Sequence, residues 1–243
     1  MILGQNTKNA RARPHQILLA FRDPKLYLGS LMIAAQGIGI GAFSIILPTL
    51  INEFGFSALD TQLYSMIPYA FGFVSQTTIS YIADRINRKG IVTVICLSIT
   101  SIGFIILLST TNKVAQLAGC CFVTTGAYPG LAIAAAWMLS FHGGFTKRAT
   151  AIWVCQIFVQ AYSIISTQVY RDPPRFFLGH GLALGLYVLA IACTMILLVM
   201  LTRANKAKDL IRAECEAIGE SVPAMEIDFE ELCDFHPSYR YPL

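Results

Sequence analysis

The sequence predicts an all-α membrane protein of six transmembrane helices, and three observations carry that expectation. Six long stretches between Leu26 and Thr202 contain no Asp, Glu, Lys or Arg. Only 13% of the 243 residues are charged while 55% are hydrophobic, with a mean hydropathy of +0.60, whereas about 25% of a soluble domain is charged. Finally, the basic residues fall on alternate sides of successive stretches. Five cluster in residues 8–25, three at Arg85, Arg88 and Lys89, two at Lys147 and Arg148, and five from Arg203 to Arg240; only Lys113, Arg171 and Arg175 fall on the other side. That 15 to 3 division predicts both termini on the cytoplasmic side.

Taken in order, residues 1–25 read as a basic cytoplasmic linker. Asp23–Pro24 closes it with a turn, because the residue before proline avoids the helical region. The apolar runs that follow are 26–51, 61–83, 91–110, 114–141, 149–170 and 179–202, each at or above the roughly 20 residues a helix needs to cross about 30 Å of hydrocarbon. Their hydrophobicity does not alternate as barrel strands would, and backbone groups in lipid must be satisfied within each segment. The domain reading is therefore 1–25 linker, 26–202 six-helix transmembrane bundle and 203–243 cytoplasmic tail. From Arg203 onward nine acids face five bases, so the tail carries −4 against the chain's +4. The positive charge belongs to membrane-side loops, and no nucleic-acid partner is expected.

The irregularities inside the spans are informative. Gly37, Gly39 and Gly41, the pair Gly126 and Gly130, and the pair Gly181 and Gly185 place small residues where helix backbones approach closely. Pro48, Pro68 and Pro129 each remove a backbone donor and free the carbonyls of Ser44, Tyr64 and Thr125. Such carbonyls need a neighbouring helix or a wet cavity. Seven cysteines show no metal-ligand or CxxC spacing, and His15, His142, His180 and His236 are scattered. No metal, no cofactor and no enzymatic site is expected.

With no ionisable group deep in a span, function must rest on neutral side chains. Gln36, Tyr64, Tyr69, Gln76, Tyr128, Trp137, Gln156, Gln160 and Gln168 could line a cavity or bond across helices. Gln36, Tyr69, Tyr128 and Gln160 are the substrate-cavity candidates, being deep in their spans beside a Gly or Pro irregularity or among small and polar residues. Tyr27, Tyr170, Phe176 and Phe177 lie at span ends, where aromatic anchors are expected. On the cytoplasmic side, Asp84, Arg85, Arg88 and Lys89 form a loop motif in which an acid can pair with a base or cap a helix start.

That loop, Ser80-Tyr-Ile-Ala-Asp84-Arg85-Ile-Asn-Arg88-Lys89, resembles the motif between the second and third helices of each half of the major facilitator superfamily. Ser80 and Asn87 stand where the motif usually has glycine. Asn6-Thr7-Lys8, Arg22-Asp23-Pro24-Lys25, Gly55-Phe56-Ser57, Tyr128-Pro129-Gly130, Gly144-Phe145-Thr146-Lys147-Arg148-Ala149, Asp172-Pro-Pro-Arg175-Phe-Phe-Leu-Gly179-His180 and His236-Pro-Ser-Tyr-Arg240-Tyr241 narrow the resemblance to fungal anion:cation symporters of the allantoate permease type. Phe141 and Gln160 replace asparagines usual in that family.

The resemblance implies the C-terminal six-helix half of a twelve-helix carrier. Its implied function is secondary active transport of small organic anions, carboxylates or vitamin-like acids, by proton symport across the plasma membrane. Implied partners are the anion, the bilayer, and a second six-helix half or another copy. A truncated, non-transporting membrane protein that associates with a complete carrier is the alternative. The bases of the 146–148 loop are expected to meet helix ends or lipid rather than substrate.

Overall fold

A computed structural model describes residues 12–52, 55, 57–169, 176–218 and 229–243. The Asn6-Thr7-Lys8 motif, Phe56, Tyr170 and the Arg171–Arg175 stretch lie outside these residues, as does the side chain of Gln168. The described residues are helical, without strands. A short helix α1 (Pro14–Arg22) leads into α2 (Pro24–Asn52), α3 (Ala58–Ile86), α4 (Lys89–Ser109), α5 (Lys113–Phe141), α6 (Phe145–Val169) and the 42-residue α7 (Phe177–Ile218), with a single turn α8 (Phe229–Leu232) near the end. Helices α4, α5, α6 and α7 are long and apolar enough to cross a membrane by length and composition. At 29 residues each, α2 and α3 exceed 40 Å at about 1.5 Å per residue, and α3 is diluted by its Ser, Thr, Gln and Tyr residues.

Local chemistry sets the helix ends. Asp23 is extended, closing α1, and Pro24 opens α2. Ser57 caps α3 by accepting the amide of Asp60, and Asn112 caps α5 by accepting that of Val114, the expected role for these side chains. At the end of α3, Asn87 sits at φ 54° in the left-handed region. Asparagine is the residue after glycine that tolerates this conformation, which accounts for Asn87 where the family motif has glycine.

The packing places α5 at the centre, against α4, α3 and α2, while α2 also packs on α6 and α7, and α4 on α7. Glycines allow the α4–α5 approach: a Cβ on Gly126 would lie 2.4 Å from the Cys96 carbonyl oxygen, and one on Gly103 2.7 Å from the Val123 amide nitrogen. Gly126 and Gly130 are thus packing glycines, as their spacing predicts. Gly181 and Gly185 meet nothing within 4 Å. Phe43, Phe104 and Tyr187 stack through the core, with Phe43–Phe104 edge-on at 6.1 Å. Each such pair adds about 0.5–1.5 kcal/mol beyond its burial.

Hydroxyls inside the helices are satisfied locally. Thr93, Thr100, Ser101 and Thr194 donate to carbonyls four residues back, an economy suited to a medium without water. Many outward-facing side chains are large and apolar: Phe73 on α3 is 76% exposed and Trp153 on α6 72%. A surface of that kind is a liability in water and is at rest in hydrocarbon.

Candidate functional site

Pro48 is the origin of the site. It removes the donor that would hold the Ser44 carbonyl, and the hydroxyl of Tyr69, reaching from α3, donates to that oxygen at 3.1 Å. The Ser44 hydroxyl in turn donates to the Ile40 carbonyl at 2.8 Å, which leaves its oxygen to accept the Tyr128 hydroxyl of α5 at 3.1 Å. One proline thereby recruits two tyrosines from two other helices. Gly72 makes the junction possible, since a Cβ there would lie 2.9 Å from the Tyr128 ring. A second tie, from the Thr124 hydroxyl to the Pro68 carbonyl at 2.7 Å, holds α5 on α3 beside the α3 proline.

Tyr69, Gly72, Phe73, Gln76 and Tyr128 line an open groove of about 330 Å³ on this face, within the size of small-molecule sites. It carries hydroxyl and amide groups on an aromatic floor and no charged side chain. A second recess, of about 160 Å³ between α2, α5 and α6, is walled by Ile33, Met138, Ile152 and Cys155, with Arg148 and Gln156 at its polar edge; it offers far fewer orienting groups.

Of the four cavity candidates, Tyr69 and Tyr128 come together in this groove, joined by Gln76. Gln36 does not reach it. Its side chain is fully buried, with Nε2 donating to the Met32 carbonyl at 3.3 Å and its backbone carbonyl accepting the Tyr187 hydroxyl. Its Oε1 has no partner and faces Gly130. Gln160 is exposed on α6, as is Gln156. Trp137 is a core residue whose indole N–H donates to the Pro242 carbonyl at 2.9 Å. Phe141 is buried edge-on against Trp137. Ser44 was legible only as a freed carbonyl four residues before Pro48.

In the loop motif Asp84 pairs with Lys89 at 3.3 Å in an exposed bridge, worth about 0–1 kcal/mol. Arg85 lies over the Tyr81 ring and donates to its hydroxyl, and Arg88 sits at the N-terminal cap position of α4.

The strongest electrostatic feature is at that same end of the bundle, and sequence reasoning missed it. Lys147 is fully buried and lies between Asp23 (2.7 Å) and Asp234 (2.5 Å), while Lys25 pairs with both carboxylates. The 146–148 loop was expected to meet helix ends or lipid; Lys147 instead closes an ion cluster inside the protein. Burial alone would push Asp234 upward, yet the two ammonium groups hold its carboxyl down at about 2. Burial likewise opposes the Lys147 charge, and the two carboxylates outweigh it and raise its pKa. Gln16 of α1 accepts the amides of Thr146 and Lys147, capping α6 from another element. The only available signal was Asp23 beside Pro24; Asp234 lies outside the closing His236–Tyr241 motif.

The description Major Facilitator Superfamily fits residues 4–167 of the chain. The chain is 33% identical to an uncharacterized transporter of Schizosaccharomyces pombe, over 81% of its own length and 41% of the relative's. It is 27% identical to the high-affinity nicotinic acid transporter of Saccharomyces cerevisiae over 93% and 42%, and 23% identical to the allantoate permease of that yeast over 98% and 46%. The chain thus spans less than half the length of these curated relatives. Apolar helices, a mid-helix polar groove and these likenesses agree: the chain is a multi-pass integral membrane protein that belongs to the major facilitator superfamily, as an allantoate-permease-like member.

Proposed function

We propose that this chain is the C-terminal six-helix half of a secondary active carrier for small organic anions, carboxylates or vitamin-like acids, driven by proton symport at the plasma membrane with both termini cytoplasmic. The observation that carries the reading is the Tyr69–Ser44–Tyr128 junction in an open, uncharged groove. In this class of carrier, substrate sits at mid-membrane between two halves that rock against each other. Tyr69 and Tyr128 would turn their hydroxyl donors to a carboxylate, and Phe73 would pack on its organic part. An ionised carboxylate in a dry site without a counter-charge is costly. A co-transported proton, or a cation from the facing half, removes that cost. The names of the nicotinic acid and allantoate relatives support the substrate class.

Uptake of labelled nicotinate and allantoate into cells lacking their own carriers, at pH 5 and pH 7, with and without a co-expressed N-terminal half, tests this reading. We expect uptake at pH 5 with the second half present, reduced at least tenfold by Tyr128→Phe with Tyr69→Phe. Absence of uptake for both acids in every configuration would sink it. The exposed aromatic face of α3 also suits a non-transporting chain that associates with a complete carrier, and recovery of such a carrier on purification, without flux, would favour that second reading.

A further inference from the structure

The ion cluster described above is assembled from three parts of the chain, and one of them is a separate short segment. The bundle contributes Asp23, Lys25 and Lys147, a buried trio with one net positive charge; residues 229–243 bring the missing carboxylate, Asp234. Lys147 and Lys25 also lie under the Phe235 ring, at 4.3 and 4.9 Å, and Lys25 under that of Tyr241 at 4.2 Å. Cation–π contacts of this kind strengthen when desolvated. The ammonium group of Lys208, on the α7 extension, donates to the carbonyls of Asp234, His236 and Tyr239 at 2.6–3.0 Å. Asn205 makes a two-way backbone clasp with Tyr241, and the Tyr239 hydroxyl donates to the Ser140 carbonyl. Gly143 and Gly144 leave room for the segment's backbone, because a Cβ on Gly143 would lie 2.6 Å from the Asp234 amide nitrogen and one on Gly144 2.5 Å from the Cys233 sulfur.

We propose that this end of the bundle is a peptide-binding cleft whose ligand is the chain's own acidic, aromatic segment 229–243, acting as a detachable strap. Docked, the strap ties the start of α2, the α5–α6 turn and the α7 extension together, so the α5–α6 turn moves relative to α2 only when the strap leaves. The contacts combine polar reading of the segment's backbone with the Asp234 carboxylate and with Tyr239 and Tyr241, which pack into the bundle's core. Carbonyls and amides of the segment are read by Lys208, Asn205 and Trp137, and a single carboxylate balances the cleft's charge.

Cys233 reports on docking, being fully buried against Gly144, while Cys215 on the α7 extension is partly exposed and Cys96 and Cys120 are buried in the bundle. A maleimide reagent is applied to the full chain in mild detergent, and labelling of each cysteine is followed by mass spectrometry. We expect Cys233 to react at least tenfold more slowly than Cys215. In Asp234→Asn its rate should rise at least tenfold while Cys96 and Cys120 stay protected. Asp209→Asn, which breaks only the exposed pair with Arg240, should leave Cys233 protected, and Tyr239→Phe should raise its rate a few-fold. Equal rates for Cys233 and Cys215 in the unaltered chain would overturn the proposal, as would continued protection of Cys233 in Asp234→Asn. Opening of Cys96 and Cys120 in step with Cys233, or failure of Asp234→Asn to fold, would make the segment an inseparable part of the core and overturn it equally.

Discussion

Two regions of this molecule solve the burial of polar groups in opposite ways. At the groove, Tyr69, Tyr128 and Ser44 are neutral, partly exposed and linked by a few hydrogen bonds across α2, α3 and α5, with Gln76 lining the same face. At the end that gathers the start of α2, the α5–α6 turn and the final segment, Asp23, Lys25, Lys147 and Asp234 are buried and joined in ion pairs. Neutral groups are cheap to leave half-satisfied, so a face that must take a substrate can be built from them. Buried charges are tolerated only with every partner in place, so they suit a junction that is either closed or absent.

The sharpest break in that contrast is Lys147→Met. It leaves Asp23 and Asp234 sharing Lys25, and removal of one partner from a buried pair typically costs about 3–5 kcal/mol; a large drop in Tm in detergent is expected. A loss below about 1 kcal/mol would mean that water reaches the cluster.

Acid should act on the same end and spare the groove, whose lining residues include no carboxylate, imidazole or amine. His142, buried beside Asp23, Asp234 and Lys147, has its pKa lowered by burial to about 4. The unfolded chain therefore binds its proton first, and stability falls as pH drops from about 6.5 toward 4. The contribution of Asp234 is present above its ordinary value near 3.8 and is lost as pH falls through about 2. On the alkaline side, Lys208 is lowered by burial, with Asp234 opposing and Lys25 and Lys147 assisting, to about 8. Its cost is relieved as pH rises from about 8 to 10.5. The Lys147 contribution, fully present below 10.5, is lost above it. Tyr239 and Tyr241, both raised by burial and by Asp234, stay neutral throughout. Thermal melts from about pH 2 to about pH 12 check these slopes, and His142→Gln should flatten the limb between 6.5 and 4.

At the groove, Gly72→Ala places a methyl 2.9 Å from the Tyr128 ring and should displace that ring from Ser44. Overpacking of this kind costs about 1–3 kcal/mol, and its effect on uptake should exceed its effect on Tm. Tyr69→Phe removes the donor to the carbonyl freed by Pro48, for about 0.6–2 kcal/mol, with uptake again the more sensitive readout. Gln160→Ala, exposed and away from both regions, should change stability by less than about 0.5 kcal/mol; a large loss of uptake would extend the site onto α6.

The two regions also differed in how far they could be read in advance. Tyr69 and Tyr128 were recognisable because Pro68 and Pro129 adjoin them, and local irregularity in a span is a short-range signal. Gln36 carried a similar signal in its glycine-rich surroundings, yet its helix face turns inward to Tyr187 and Gly130. Which way a residue faces on a helix with apolar groups all round is decided by neighbours, not by periodicity. Asp234 gave no such signal, since in a run of nine acids it looks like one more solvated charge.

Hydropathy determined where the long apolar helices run and Pro24 where α2 begins, because each is a property of neighbouring residues in a uniform solvent. Tertiary structure alone decided that Asp23, Lys147 and Asp234, separated by 124 and 87 positions, would share one buried site. Ion pairing depends on distance in space, and only the packing of α1, α2, α6 and the final segment brings those charges within reach of one another.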